Sequence, residues 1–234
     1  MPGLLVHVEG QTEEDFVNEI LRPHLQSHGF DWISARIIGN ARQRDRRGGI
    51  RGWDSVRKDI LRHLKENRHA IATTMVDYYA LPASAERAWP GRAHANNLPH
   101  SQKAITIENA LHNDIAIDMG EDFDRRRFVP NIIMHEFEGL LFSDCQAFAA
   151  GVSNSQIATS MQAIRDQFSN PEEINDSPQT APSKRIEMLI PKYQKPLHGN
   201  LAALEIGLDK MRSSCPHFQS WITQLEHLGS SFKT

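Results

Sequence analysis

The sequence has only two cysteines, Cys145 and Cys215, far apart and with no CxxC or Cys/His spacing near either. That argues against a disulfide framework and against a zinc site. No apolar run approaches the ~18 residues of a membrane span. The amino terminus lacks the basic-then-apolar layout of a signal peptide, so a reducing cytoplasm is the expected compartment. Neither sign of charge dominates: 26 Lys and Arg stand against 29 Asp and Glu, a net charge of −3. Nothing global therefore points to nucleic acid or membrane, and any polyanion site must be local. No GxxxxGK[ST] run occurs, so the chain carries no P-loop. There is no internal repeat and no low-complexity tract.

What is present fits an ordinary globular protein. Hydrophobic residues make up 39% and charged residues 24% of 234 positions, enough for one large domain or two small ones. Leu4, Leu5, Val6 and Val8 form a short apolar run of strand length, ending in Glu9-Gly10. Thr12 is expected to open a helix to Gly29, with Asp15 three positions on as a variant capping box. Phe16, Val17, Ile20, Leu21 and Leu25 fall on one stripe of it. Trp32–Ile38 alternates as a strand does. Trp53–Asn67 has helical spacing, Ala70–Val76 is a second buried strand running into Asp77, and Ser101–Asp118 is helical again. Between them Ala80–His100, rich in Pro, Gly and Asn, reads as a surface loop.

Phe128–Met134 is a further apolar strand. Pro130 near its start places those residues at a strand end or sheet edge. It runs into His135, Glu136, Phe137 and Glu138, then a helical start. Helix–strand alternation to about residue 145 implies βαβ units and a largely parallel sheet flanked by helices. Beyond it the patterns are helical (Ser155–Phe168, Ser183–Lys192, Leu197–Leu208, His217–Leu228), with a polar linker over Ser169–Pro182. The expected organisation is an α/β core over residues 1–150 and a helical annex over 151–234 packed on it as a single compact unit.

Glu9, Asp77, and Glu136 with Glu138 each follow a strand. In a parallel sheet those strand ends share one edge, where ligands bind in open α/β folds. Carboxylates gathered there raise one another's pKa, and a divalent cation relieves the repulsion. All-oxygen ligands favour Mg²⁺ or Mn²⁺ over zinc. Glu13 can join from the first helical turn, although Glu13, Glu14 and Asp15 also suit the helix dipole without a ligand. Glu138 and Asp144 suit helix starts in the same way. His135 reads as a packing residue. Glu9, Asp77 and Glu136 are the strongest catalytic candidates. A second feature is local and positive: Arg42, Arg44, Arg46, Arg47 and Arg51 crowd a Gly-containing loop with one acid among them. Charge runs are usually solvated surface, yet this one is also the footprint that phosphates require.

The strand–Glu9–Gly10 turn, Glu13 four residues on, and the acid at Asp77 resemble the Toprim domain, the metal-binding fold of topoisomerases, primases and nucleases of the overcoming-lysogenization-defect type. More narrowly, VEGQTEEDFV, MVDYYALP, IIMHEFEGLLFSD, APSKRI and HGNLAALEIGLDKMRSSCPHFQSWI are similar to a bacterial domain-of-unknown-function family of the Toprim-like group, over nearly the whole chain. The resemblance implies a Toprim-like fold, with Glu9 as general acid/base and metal neighbour. It implies Glu13 as the second acid of the nuclease branch and Asp77 as the first Asp of a DxD pair. Tyr79 stands where the second Asp belongs, and a neutral phenol is a poor Mg²⁺ ligand. Glu136 or Glu138 supplies the missing carboxylate, or the site holds one metal, or it is degenerate. Lys184 and Arg185 resemble basic residues placed near the scissile phosphate. The resemblance further implies nucleic acid (DNA or RNA) as partner, a separately encoded ATPase in a phage-defence setting, and self-association. Two functions follow: a Mg²⁺- or Mn²⁺-dependent nuclease, or a non-catalytic module docking an ATPase or nucleic acid. A small-molecule phosphohydrolase is a weaker third, since the arginine loop suits polymeric phosphate.

Overall fold

The computed structural model describes residues 2–38, 50–174, 177 and 179–231. β1 (Gly3–Val8) leads through Glu9-Gly10 into α1 (Gln11–Phe16), a π-helical segment Val17–Leu21, and α2 (Arg22–Ser27). β2 (Trp32–Ile37), α3 (Trp53–Glu66) and β3 (Ala70–Asp77) follow, then the short α4 (Arg92–Ala95) and the long α5 (His100–Met119). β4 (Phe128–Val129) and β5 (Ile132–Ile133) are the last strands among the described residues. The rest is helical: α6 (Cys145–Gly151), α7 (Ala158–Arg165), α8 (Pro182–Leu189), α9 (Asn200–Ile206), α10 (Leu208–Ser214) and α11 (Pro216–Ser231). This is the α/β class expected, a parallel sheet flanked by helices.

The sheet runs β2-β1-β3-β4, with β5 beside the end of β3, and every pair is parallel. Leu4 is level with Ile33 and Ile71, Val8 with Met75, and Asp77 with Ile133. Alternate residues divide two cores, as the period of two requires. Leu4, Val6, Val8, Ile71, Met75 and Ile133 face one side with Phe16, Phe148, Met161, Phe218 and Ile222. Ala72, Val76, Phe128 and Ile132 face the other with Trp53, Ile60, Leu64, Ile107 and Leu111. The carboxyl-terminal helices thus bury the same side of the sheet as α1. Trp221 of α11 donates its indole N–H to Thr73 Oγ1 in β3 at 2.9 Å.

Three sequence expectations are corrected. The strand over Phe128–Met134 is broken, because Pro130 has no N–H to give the ladder. Thr74 takes over there: its hydroxyl donates to Asn131 O at 2.8 Å and accepts from Asn131 N–H at 2.9 Å. Both pieces lie at the sheet edge. The first helix starts at Gln11, with Gly10 rather than Thr12 at its cap. Glu13 Oε2 accepts from Gly10 N–H at 2.9 Å, which is half of a capping box, since glycine has no side chain to return the bond. Asp15 instead accepts from Gln11 and from Asn200 at the start of α9. The segment Ala80–His100 is also not wholly irregular, since it holds α4.

Where α6 meets α9 there is no room for a side chain. A Cβ on Gly151 would lie 2.8 Å from both Ala202 Cα and Leu201 O, and backbone atoms cannot swing aside. Gly151→Ala should cost about 1–3 kcal/mol. The reading is a lower urea midpoint at unchanged m-value. An unchanged midpoint would show that the two helices part without penalty.

Candidate metal centre at the strand ends

Because all strands are parallel, β1, β3 and β5 deliver their next residues to one edge. Glu9 leaves β1 there. One of its oxygens accepts from the Asp77 N–H, while Oε2 is buried and has no partner. Burial, then the charges of Glu13 and Glu138, push its pKa up to about 8, against the pull of Lys195 and the Asp77 amide. Asp77 ends β3, is buried, and accepts from Phe137 N–H at 2.9 Å. Burial together with Glu9 and Glu13 holds it well above the usual carboxylate range. Glu13 is likewise buried and raised by burial, although the Gly10 N–H opposes the shift.

Glu138 comes from the turn after β5. That turn begins at His135, whose φ of 61° is left-handed, an uncommon backbone for a residue with a side chain. The His135 carbonyl accepts from Tyr79 N–H at 3.2 Å, and its ring packs against those of Tyr78, Tyr79 and His100. The reversal sends Glu138 inward, 1% exposed. Its Oε2 accepts from Lys195 Nζ at 3.0 Å and its Oε1 is buried without a partner. Burial lifts its pKa to about 7 against the attraction of Lys195. Glu136 lies nearby but is partly committed: its Oε2 accepts from Ser183 N–H at 2.9 Å, in the first turn of α8.

Lys195 is the residue that sequence reasoning missed. It sits in a π-helical segment, Lys195–Gly199, far from every acid in sequence. Burial pulls its pKa down, but Glu138, Glu136 and Asp77 outweigh that and hold it above the ordinary lysine value. Beside it the Tyr193 hydroxyl is buried without a partner, and burial with the charges of Glu138 and Glu136 raises its pKa. No motif marks this lysine. Its only signal was charge balance, since so many buried acids require a cation of some kind.

Four carboxylates with raised pKa values, Glu9, Glu13, Asp77 and Glu138, thus share one ammonium. Two of their oxygens, Glu9 Oε2 and Glu138 Oε1, are orphaned in the interior. Buried polar atoms are nearly always satisfied, and two hard oxygens left open fit a divalent cation. Among the described residues these acids do not form a trio with donor atoms all within 4.8 Å of one another.

Arg42, Arg44, Arg46 and Arg47 fall outside the described residues. Arg51 is bound on three sides, to Ile38 O at 2.8 Å, Ser55 Oγ at 2.9 Å and Asp59 Oδ2 at 2.6 Å. Lys184 pairs with Glu187 at 2.6 Å on the exposed face of α8. Arg185 donates to Thr180 O and stacks over Phe168.

Fold and site together define an α/β protein with a buried acidic centre at the carboxyl edge of a parallel sheet. The chain belongs to the family described as Domain of unknown function (DUF4276), whose profile matches residues 8–226. No curated protein matches it in sequence. Among solved structures it is similar to the C-terminal region of the OLD protein of Xanthomonas campestris pv. campestris. The identity is 14% and the TM-score 0.43, over 98% of this chain and 97% of that one.

Proposed function

We propose that this chain is a Mg²⁺- or Mn²⁺-dependent hydrolase of nucleic-acid phosphodiesters. The observation that carries the reading is the pair of orphaned buried oxygens on Glu9 and Glu138, within one cluster with Asp77 and Glu13. The sequence resemblance to Toprim nucleases supports it. Glu9, Asp77 and Glu138 would hold the cation, with Glu13 and Glu136 at its margins. A bound cation of this kind neutralises phosphate oxygens and activates water. Lys195, its side chain 43% exposed and its ammonium anchored on Glu138, offers a fixed positive charge to a phosphate entering from solvent. The arginine-rich segment before α3 would track the backbone without reading sequence.

The test is incubation of the purified chain with supercoiled plasmid and with RNA, in Mn²⁺ and in chelator. A non-catalytic adaptor for a separately encoded ATPase is the second reading. It is favoured by exposed Leu197, Leu201 and Leu204, spaced as one helical stripe. Co-purification with such an ATPase, with no cleavage by the complex in Mn²⁺, would select it.

Tyr79→Asp restores the acid that the Toprim pattern expects. Since Glu138 already reaches the cluster, this change should leave Mn²⁺ affinity little altered by calorimetry. A marked tightening would show instead that the centre is one ligand short.

A further inference from the structure

The opposite edge of the sheet carries a different donor set. His24 lies in α2 and His28, four residues on, caps its carboxyl end on the same face. α11 crosses them and brings Glu226. One donor atom from each of His24, His28 and Glu226 lies within 4.8 Å of the others. His24 Nε2 is 2.6 Å from Glu226 Oε1, and His28 Nε2 is 3.8 Å from the same oxygen. The two rings lie 4.5 Å apart.

His28 Nδ1 is 2.9 Å from the His24 carbonyl and 3.1 Å from Ser27 Oγ. With Nδ1 donating to that carbonyl, Nε2 is the nitrogen left to face Glu226. A histidine that gives its other N–H to a backbone carbonyl is the usual arrangement for a metal ligand.

We propose that His24, His28 and Glu226 form a second cation site, for a divalent transition ion of the zinc type, which staples α11 to α2. Two imidazoles and one carboxylate are a donor set that suits Zn²⁺ and leaves a position for water. The sparse cysteines argued against zinc in the sequence; this set needs none. Arg212 is the competitor. Its Nη1 is 2.5 Å from Glu226 Oε1 and 3.3 Å from His24 Nε2, and its Nη2 is 3.0 Å from Oε2. Its Nε is also tied to Gln219 Oε1 at 2.6 Å. The guanidinium can keep Oε2 and Gln219 while an ion takes Oε1. His24 also walls an open cleft of about 630 Å³ with Pro23 and Leu208, which gives a hydrated ion its way in. The site is independent of the hydrolase reading, because it shares no residue with the acidic centre.

The experiment is Zn²⁺ binding to the full chain without any histidine tag, in excess Mg²⁺ so that the acids are occupied. One Zn²⁺ per chain is expected, with a rise in melting temperature. Co²⁺ in its place should give the visible bands of a low-coordinate N/O site. His28→Ala, checked for folding by circular dichroism, should weaken binding at least about tenfold and erase both the bands and the thermal shift. Arg212→Gln should tighten binding by removing the competing charge. Glu9→Gln should leave it unchanged. Zn²⁺ binding that survives His28→Ala undiminished, or that vanishes in Glu9→Gln, overturns the proposal, as does no binding above the Mg²⁺ background.

Discussion

Glu9→Gln should reduce Mn²⁺-dependent cleavage by ~10²–10⁴-fold, the range for losing one group that acts directly on the reacting atoms. The amide keeps the size of the side chain and can still accept from the Asp77 N–H. It removes a group whose ionisation burial and the neighbouring acids oppose. Metal affinity should fall with activity, while the melting temperature of the metal-free protein should hold or rise. That opposition separates a functional acid from a structural one, because removing a structural buried group lowers stability. Cleavage at the parental rate, with metal affinity untouched, would hand the chain to the adaptor reading.

The stability of the metal-free protein should fall as pH rises from acid to alkaline. Glu9 is pushed up to about 8 and Glu138 to about 7, against 4.5 for an ordinary glutamate, and Glu13 and Asp77 move the same way. In the unfolded chain all four ionise near their ordinary values. Across the window between, the folded state binds more protons than the unfolded one, so stability declines with pH. The contribution is whole below the unfolded pKa and is lost once pH has passed the folded values. Each pH unit between a group's unfolded and folded pKa is worth about 1.4 kcal/mol. Urea titrations at about pH 5.5 and about pH 8.5 measure it. Saturating Mg²⁺ or Mn²⁺ should flatten the slope, and so should Glu9→Gln combined with Glu138→Gln. A slope that neither treatment changes would place its source in other groups.

Much of the site was legible because strand ends are legible. An apolar run followed by an acid marks the sheet edge in β1 and β3, and parallel order then gathers those acids without knowledge of side-chain positions. Sequence alone ranks Glu136 above Glu138, two residues on, whereas Glu138 is the one with a buried, unpartnered oxygen. What separates them is the left-handed turn at His135, and a histidine does not advertise such a backbone. The helix cap was misplaced by two residues because Thr12 is the better cap by composition, whereas the bond comes from Glu13 reaching back to Gly10. The break between β4 and β5 depends on a threonine hydroxyl 57 residues away, and Lys195 is equally remote from Glu138. Contacts of that kind have no local signature. The π-helical segments also lie inside continuous helical periodicity and leave no mark on it.

The spread of the centre along the chain also sets an order in time. Glu9, Glu13, Asp77 and Glu138 are all synthesised before Lys195, which follows Glu138 by 57 residues. Trp221, which pins α11 to β3 across 148 residues, comes later still. Domains fold as their sequence becomes available, amino-terminal parts first. A chain shorter than 195 residues therefore carries the four acids without the ammonium that balances them. For a hydrolase of the kind proposed, a chain cut short of residue 195 would lack the ammonium that anchors Glu138.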